Sequence, residues 1–282
     1  MSQSPELPES ADTPALDSPA SGASARVVAL LEAVAAAESS VGVRELARLT
    51  GIDKSAVSRL LAQLLRLGMV DQAQDVQGRY TVGPRLFTIS SMVSARDSLL
   101  VAARPILRGI ADEVDETCYL STVERDGYVL RDKADCNKPI RYFLEMGRTM
   151  PLNAGAGGRA VLSGMSAQQA AALLARVPLE RVTERTVTEP DELLRLAEQD
   201  RVRGWSVSIG ERVVGGSAIA SPYFAADGSC RGALLLAIPS ERLDEERIPE
   251  LGRAVSAAAR ELSVRLGHGP TWRAADVASS TA

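Results

Sequence analysis

One short stretch of the sequence carries side chains suited to contacting DNA. Lys54 and Arg59 are cationic, and Ser58 and Gln63 can donate and accept hydrogen bonds. Such side chains reach phosphates and base edges when a helix lies in the major groove. The alternative interpretation is a surface helix with a solvated face. The candidate DNA-binding residues, including flanking positions, are Arg44, Lys54, Ser55, Ala56, Ser58, Arg59, Gln63 and Arg79.

Apolar periodicity predicts a helix-turn-helix that positions these side chains. Val57, Leu61 and neighbouring apolar residues recur at helical spacing, which predicts a buried stripe opposite Arg59. A shorter helix precedes it. Gly51 suits the turn between the two helices, because glycine adopts positive φ without strain, and Asp53 suits the N-cap of the second helix.

A β-hairpin is predicted directly after this helix pair. Strands are expected at Met69-Val70 and at Arg79–Val82, on either side of a polar loop over residues 72–78. A helix-turn-helix followed by a basic, aromatic hairpin is typical of a winged helix-turn-helix. This combination favours DNA binding over the solvated surface helix.

The charge is distributed unevenly along the 282 residues. The formal net charge is −4, and residues 1–24 contain four acidic residues and no basic one. Residues 25–88 contain eight basic residues against six acidic ones. A DNA-binding architectural protein, with the C-terminal part serving only oligomerisation, is the alternative function, but it requires a more basic surface. We therefore expect affinity for double-stranded DNA to depend on local placement of charge.

Cysteine spacing and hydropathy limit the other function classes. Three cysteines are scattered without CxxC spacing, which predicts neither a disulfide framework nor a metal site. We expect no cofactor. Because no signal-peptide pattern and no membrane-length apolar run is present, we expect a cytoplasmic protein with no membrane partner.

Composition and periodicity suggest a domain plan. We predict a disordered tail at 1–24, a winged DNA-binding domain at 25–84, a linker helix at 85–104, an α/β domain at 105–267 and a loose tail at 268–282. Pro105 is expected to begin a new helix after the linker. Leu86, Phe87, Met92 and Val93 form an apolar stripe on the linker, which predicts a homodimer through this helix; packing on its own chain is the alternative.

The C-terminal part is predicted to be α+β with a mostly antiparallel sheet. Asp126-Gly127 and Asp227-Gly228 are hairpin turn signals between β-rich segments. A further strand is expected at Ile140–Leu144. Helices are expected at residues 156–165, 166–176, 191–204 and 245–266, with Ser166 and Asp191 as N-caps.

Four blocks together resemble the IclR-type bacterial transcriptional regulators. They are ELARLTGIDKSAVSRLLAQL, GRYTVGPRLF, PLNAGAGGRAVL and RGWSVSIGERVVGGSAIASPYFAADG, and the resemblance covers residues 26–267. It implies a winged reader, a dimerising linker helix, a GAF-like domain that binds a small effector, and dimers often paired into tetramers. It is compatible with repression and with activation. Ala56 stands where the recognition helix of the family usually has threonine.

The resemblance also implies an effector site. In the family the backbone at Ala156 and Gly157 meets the effector, although these glycine-rich residues could equally serve close helix–sheet packing. Members that bind small oxoacids carry polar groups where this chain has Ser208, Ala218, Leu235 and Ala237, so a larger ligand with an apolar body is expected. The candidate effector-binding residues are Met150, Ala156, Gly157, Trp205, Ser208, Ala218, Leu235 and Ala237.

Nothing in the sequence favours an enzyme. The glycine-rich run lacks the Lys-Ser/Thr of a P-loop and a dinucleotide fingerprint, and the single histidine, His268, lies in a Gly-Pro segment. Glu211 and Arg212 are either a solvated turn or a ligand contact. We therefore predict a DNA-binding transcriptional regulator that is not an enzyme. Its binding to the operator is expected to respond to a catabolite or organic acid.

Overall fold

The computed structural model describes residues 22–37, 39–73, 76 and 78–269. The chain divides into two compact units, Met1–Arg96 and Asp97–Ala282. Of the tails predicted at 1–24 and 268–282, only residues 22–24, 268 and 269 are described. At the inner end of the first tail, residues 23 and 24 are already helical.

The N-terminal unit is a three-helix winged fold followed by one more helix. Its three strands form an antiparallel sheet in the order β1-β3-β2. The elements are α1 (Ala23–Ala35), β1 (Val41–Gly42), α2 (Val43–Thr50), α3 (Lys54–Arg66), β2 (Val70–Gln72), β3 (Arg79–Val82) and α4 (Pro84–Arg96).

The predicted turn between α2 and α3 is confirmed. Gly51 has a φ of 68°, so it ends α2 in the left-handed conformation that glycine tolerates. The Asp53 carboxylate caps α3 and accepts the N–H groups of Ser55 and Ala56 at 2.8 and 3.3 Å. These hydrogen bonds, with one from the Ser55 hydroxyl, lower the pKa of the Asp53 carboxyl, so the cap is charged at neutral pH.

The helix after the wing ends earlier than predicted. The break falls at Asp97, whose side chain caps α5 (Ser98–Val114), and Pro105 lies inside α5 instead of beginning a helix. Asp97 accepts the N–H groups of Leu99 and Leu100, which are free at a helix start, so the cap fixes the new helix there.

No single helix of the described residues is long and apolar enough to cross a membrane.

The C-terminal unit is α+β, as predicted, and its described strands form one antiparallel sheet. The strand order is β6-β5-β4-β9-β8-β7. After α5 come β4 (Thr117–Val123), β5 (Tyr128–Ala134), β6 (Thr149–Met150), α6 (Ala156–Ser163), α7 (Ala167–Leu174), α8 (Pro190–Arg203), β7 (Ser206–Ile209), β8 (Gly216–Phe224), β9 (Cys230–Pro239) and α9 (Arg247–Arg265).

Helices cover both faces of this sheet, and strand alternation divides the apolar residues between two cores. Leu234 and Leu236 of β9 belong to the core under α5 and α9. Leu235 and Ala237 belong to the core under α6, α7 and α8. Because successive side chains of a strand point to opposite faces, β9 supplies apolar residues to both.

The predicted strand at Ile140–Leu144 is wrong. The segment is extended but pairs with side chains: Tyr119 Oη donates to Tyr142 O and accepts from Leu144 N–H, and Arg242 donates to Ile140 O. These partners come from distant parts of the chain, so local alternation could not distinguish the segment from a strand.

Two smaller predictions also need correction. The N-cap of α8 is Glu189, with Pro190 at the first helical position, and Asp191 lies in the first turn. His268 is not loose, because its ring stacks on Phe224 at 5.3 Å and its Nδ1 lies 3.1 Å from Ala225 O. The cap predicted at Ser166 is confirmed as a capping box with Gln169.

Candidate functional site

The candidate DNA-binding surface is the outer face of α3. Val57, Leu61 and Leu64 are buried in the core of the unit, which turns the opposite face of the helix outward. Six of the predicted residues are exposed together with it: Arg44 on α2 and Lys54, Ser55, Ser58, Arg59 and Gln63 on α3.

Three of the predicted DNA-binding residues, Ser55, Ala56 and Arg79, make contacts within their own unit. The Ser55 hydroxyl donates to Asp53 at 2.5 Å as part of the helix cap. Ala56 is half-buried against the core. The Ser55 hydroxyl is therefore occupied in the helix cap, and the Ala56 methyl group packs on the core.

Arg79, the predicted DNA-binding residue of the wing, contacts groups of its own unit. Its Nε donates to Ser40 O at 2.8 Å, and its Nη2 lies 3.3 Å from Glu45 Oε2. The guanidinium thus connects β3 to the start of α2. Because Nε and Nη2 are engaged in this way, we assign Arg79 to holding the wing on the helix pair.

The C-terminal unit contains a cavity between α6, the sheet and two loops. Its volume is about 40 Å³, and it opens to solvent. It is lined by Tyr128, Tyr142, Leu144, Ala154, Gly155, Ala156, Gly157, Ser208, Arg212, Val213, Gly216, Ser217, Ala218, Leu235 and Ala237.

Six of the eight predicted effector-binding residues line this cavity. They are Ala156, Gly157, Ser208, Ala218, Leu235 and Ala237. Trp205 and Met150 do not line it. Trp205 packs in the core of α5 and α9, where a Cβ on Gly252 would overlap its ring. It directly precedes β7 and packs with Val207 in that core, whereas Ser208 points to the opposite face of the sheet.

Most hydroxyl groups of the cavity already have protein partners. Ser208 Oγ accepts the Ala156 N–H at 2.9 Å, and Ser217 Oγ lies 2.7 Å from Ser240 Oγ. Tyr142 Oη donates to Val214 O at 3.1 Å and so joins the two loops at the mouth. The Ala156 N–H, part of the backbone that meets the effector in the family, is thus satisfied by Ser208.

Nine of the fifteen lining residues were not among the candidate effector-binding residues, and three of the nine are Tyr128, Tyr142 and Leu144. The Tyr128 hydroxyl lies over the start of α6, where a Cβ on Gly157 would approach it to 2.8 Å. Tyr142 and Leu144 come from the extended segment that was predicted as a strand. Placing alternate residues of that segment in a cavity requires the tertiary contacts described above.

Glu211 and Arg212 are neighbours in sequence with different environments. Glu211 Oε1 pairs with Arg159 Nη1 at 2.7 Å, and Arg159 Nε also pairs with Asp200 at 3.2 Å. The Arg159 side chain is 5 % exposed and that of Asp200 3 %. Burial raises the pKa of the Glu211 carboxyl, and the Arg159 guanidinium opposes that rise. Glu211 is thus neither solvated nor a lining residue, whereas Arg212 lines the cavity.

Comparisons with known proteins match both units to domains of the same family. The family model for the bacterial transcriptional regulator IclR C-terminal domain matches residues 91–264, and the IclR helix-turn-helix domain matches residues 23–74. The chain is 30 % identical over 244 residues to the acetate operon repressor of Salmonella typhimurium, covering 86 % of this chain and 89 % of the relative. It is 29 % identical, with the same coverage, to the transcriptional repressor IclR of Escherichia coli.

A solved structure gives the same result for the fold. The crystal structure of the Thermotoga maritima IclR superposes with a TM-score of 0.71 at 25 % sequence identity, covering 86 % of this chain and 98 % of that chain. The relatives found are named transcriptional regulators or repressors and not enzymes.

Proposed function

We propose effector-controlled operator binding for this chain, which belongs to the IclR family of bacterial transcriptional regulators. The regulator reads double-stranded DNA with the outer face of α3. A small organic molecule in the cavity of the C-terminal unit changes its affinity for the operator. The observation that carries this proposal is a largely apolar, partly enclosed cavity in a chain whose other unit is a winged helix-turn-helix.

Arg59 is the residue we assign to base contact. It is exposed on α3 opposite the buried stripe and can donate two hydrogen bonds to a guanine edge. Lys54 and Arg44 flank it and are placed to neutralise phosphates.

We expect Arg59→Ala to weaken operator binding by about 1–3 kcal/mol, the value of one good base contact, with the melting temperature unchanged. The measurement is fluorescence anisotropy on a DNA fragment found by footprinting upstream of the neighbouring operon. Arg26→Ala, which removes an exposed arginine from α1, is the matched control and should bind as the wild type does. Normal operator binding by Arg59→Ala would contradict the assignment of α3 as the reading helix.

The lining favours an effector with an apolar body. Ala218, Leu235 and Ala237 offer no hydrogen bonds, and Ser208 is engaged with α6. A small, highly polar acid would leave buried polar atoms unpaired against this surface, at a cost of about 1–3 kcal/mol. A structure of the same fold, an IclR homologue from Microbacterium hydrocarbonoxydans with 21 % identity, was solved with 4-hydroxybenzoate. At that identity the likeness extends to the fold, and the proposal for this chain rests on its own lining.

The linker helix α4 is the proposed dimer contact. Phe87 is 64 % exposed and Met92 57 % exposed, and Val93 adds to the same apolar surface. Covering this surface with the α4 helix of a second copy would remove it from water and set two reading helices for a palindromic operator. The C-terminal units are available to pair such dimers into tetramers.

We expect the double substitution Phe87→Glu and Met92→Glu to convert dimers to monomers and to weaken operator binding at least tenfold, because two half-sites then bind independently. Light scattering and anisotropy measure the two effects. Val202→Glu, at an exposed apolar residue of α8, is the control for added charge. A wild-type monomer that binds a half-site alone would contradict the dimer.

A further inference from the structure

Two polar groups at the cavity differ from all the others that line it. Among the described lining residues, Arg212 alone carries a charge. In the described part of the chain its guanidinium has no ion pair and no hydrogen bond, and the Tyr128 hydroxyl likewise has no hydrogen-bond partner. Tyr128 is 3 % exposed, and its hydroxyl, which lies over the start of α6, opens onto the cavity. Arg212 is half-buried at the same cavity, so both groups can donate hydrogen bonds to a ligand acceptor there.

We propose that Arg212 and Tyr128 bind the carboxylate of the effector, and that the cavity therefore selects organic acids over their neutral analogues. This inference rests on the proposed function and adds the chemical group that is recognised. The guanidinium supplies a charge-assisted hydrogen bond, and the phenol donates to the same carboxylate.

The acidic groups near Arg212 are paired with other arginines, which leaves its guanidinium free to bind an anion. The acidic neighbour, Glu211, is paired with Arg159, and Asp200 is paired with Arg159 and Arg203. No acidic side chain is among the described lining residues, so the positive charge in the cavity is uncompensated. The nearby charge of Arg212 acts on the Tyr128 phenol, but burial dominates and raises its pKa. The phenol therefore keeps its proton at neutral pH and remains a donor.

The rest of the cavity restricts the acid to one with an apolar body. Ala218, Leu235 and Ala237 form the wall contributed by β8 and β9. An inorganic anion would occupy the polar end and leave this wall uncovered, whereas a ring or short hydrocarbon chain would bury it. Benzoate carries both features, and benzamide has the same shape without the charge.

The experiment is calorimetric titration of the full-length protein with benzoate, benzamide and sodium sulfate. We expect wild-type protein to bind benzoate at least tenfold more tightly than benzamide and to show no saturable binding of sulfate. Arg212→Gln should lose at least tenfold in benzoate affinity and bind benzamide nearly as the wild type does. Tyr128→Phe should weaken both ligands several-fold, because the phenol can donate to a carboxylate or an amide oxygen.

Arg231→Gln, which removes an exposed arginine from β9, is the matched control and should bind benzoate normally. Melting curves establish that each variant is folded. Equal affinity of wild type and Arg212→Gln for benzoate, or the absence of benzoate binding by the wild type, would overturn the proposal. Benzoate binding that requires Arg212 but leaves operator affinity unchanged would support the site and contradict the proposed function, so the two failures are distinguishable.

Discussion

Replacing Arg159 by methionine is expected to destabilise the C-terminal unit by about 3–5 kcal/mol, the cost of leaving the partners of a buried ion pair uncompensated. Arg159 pairs with Glu211 and Asp200 and also donates to Val207 O, so its loss removes the donor of Glu211 and of Val207 O and leaves Asp200 with Arg203 alone. Methionine retains much of the volume of the arginine stem, which separates the loss of charge from the creation of a cavity.

Thermal melting of the full-length protein measures this effect. A change of 3–5 kcal/mol in a unit of this size corresponds to a fall of about 6–20 °C. Arg195→Met is the matched control, because the Arg195–Glu192 pair is exposed and its loss should leave the melting temperature unchanged. A melting temperature for Arg159→Met within about 2 °C of wild type would show that the ion pair is hydrated or absent.

The second large effect is expected from Gly158→Ala. A Cβ at Gly158 would overlap the backbone carbonyl of Leu152, which cannot move away as a side chain can. The resulting strain should cost about 2–3 kcal/mol and lower the melting temperature by about 4–12 °C. Thermal melting of the full-length protein measures this effect as well.

Gly109→Ala is the matched control, and we expect it to raise the melting temperature where Gly158→Ala lowers it. Gly109 also lies inside a helix, but a Cβ there would meet nothing within 4 Å. Alanine should therefore stabilise the protein by about 0.5–1 kcal/mol through its higher helix propensity. If both variants changed the melting temperature in the same direction and by the same amount, close packing at Gly158 would be refuted.

Local signals predicted the N-terminal unit well. Gly51 and Asp53 act within a few residues of their own positions, so their turn and cap follow from residue type. The buried stripe of α3 is likewise local, since it depends on helical spacing alone. The contacts of Arg79 were not predicted, because its partners, Ser40 and Glu45, lie more than thirty residues earlier in the chain.

The cavity shows the limit of the same reasoning. The family resemblance predicted Ser208, Leu235 and Ala237 as effector contacts, and these residues line the cavity. Trp205 lies in the other core, as its odd separation from Ser208 indicates. Arg212 could not be assigned to ligand binding from the sequence. Its neighbour Glu211 forms an ion pair with Arg159, which is 52 residues away, and this pairing leaves Arg212 free to bind a ligand. Pairings of that kind are fixed by tertiary packing and leave no periodic signal in the sequence.

The most direct test of effector-controlled DNA binding is the operator affinity of the full-length protein as benzoate is added. Fluorescence anisotropy on the footprinted fragment gives Kd at each concentration, with Arg212→Gln titrated in parallel. We predict that saturating benzoate changes the wild-type Kd at least fivefold and leaves the Kd of Arg212→Gln unchanged, because an effector shifts an equilibrium only through its differential affinity for the two states. A wild-type Kd that stays constant while calorimetry shows the cavity to be occupied would contradict the account.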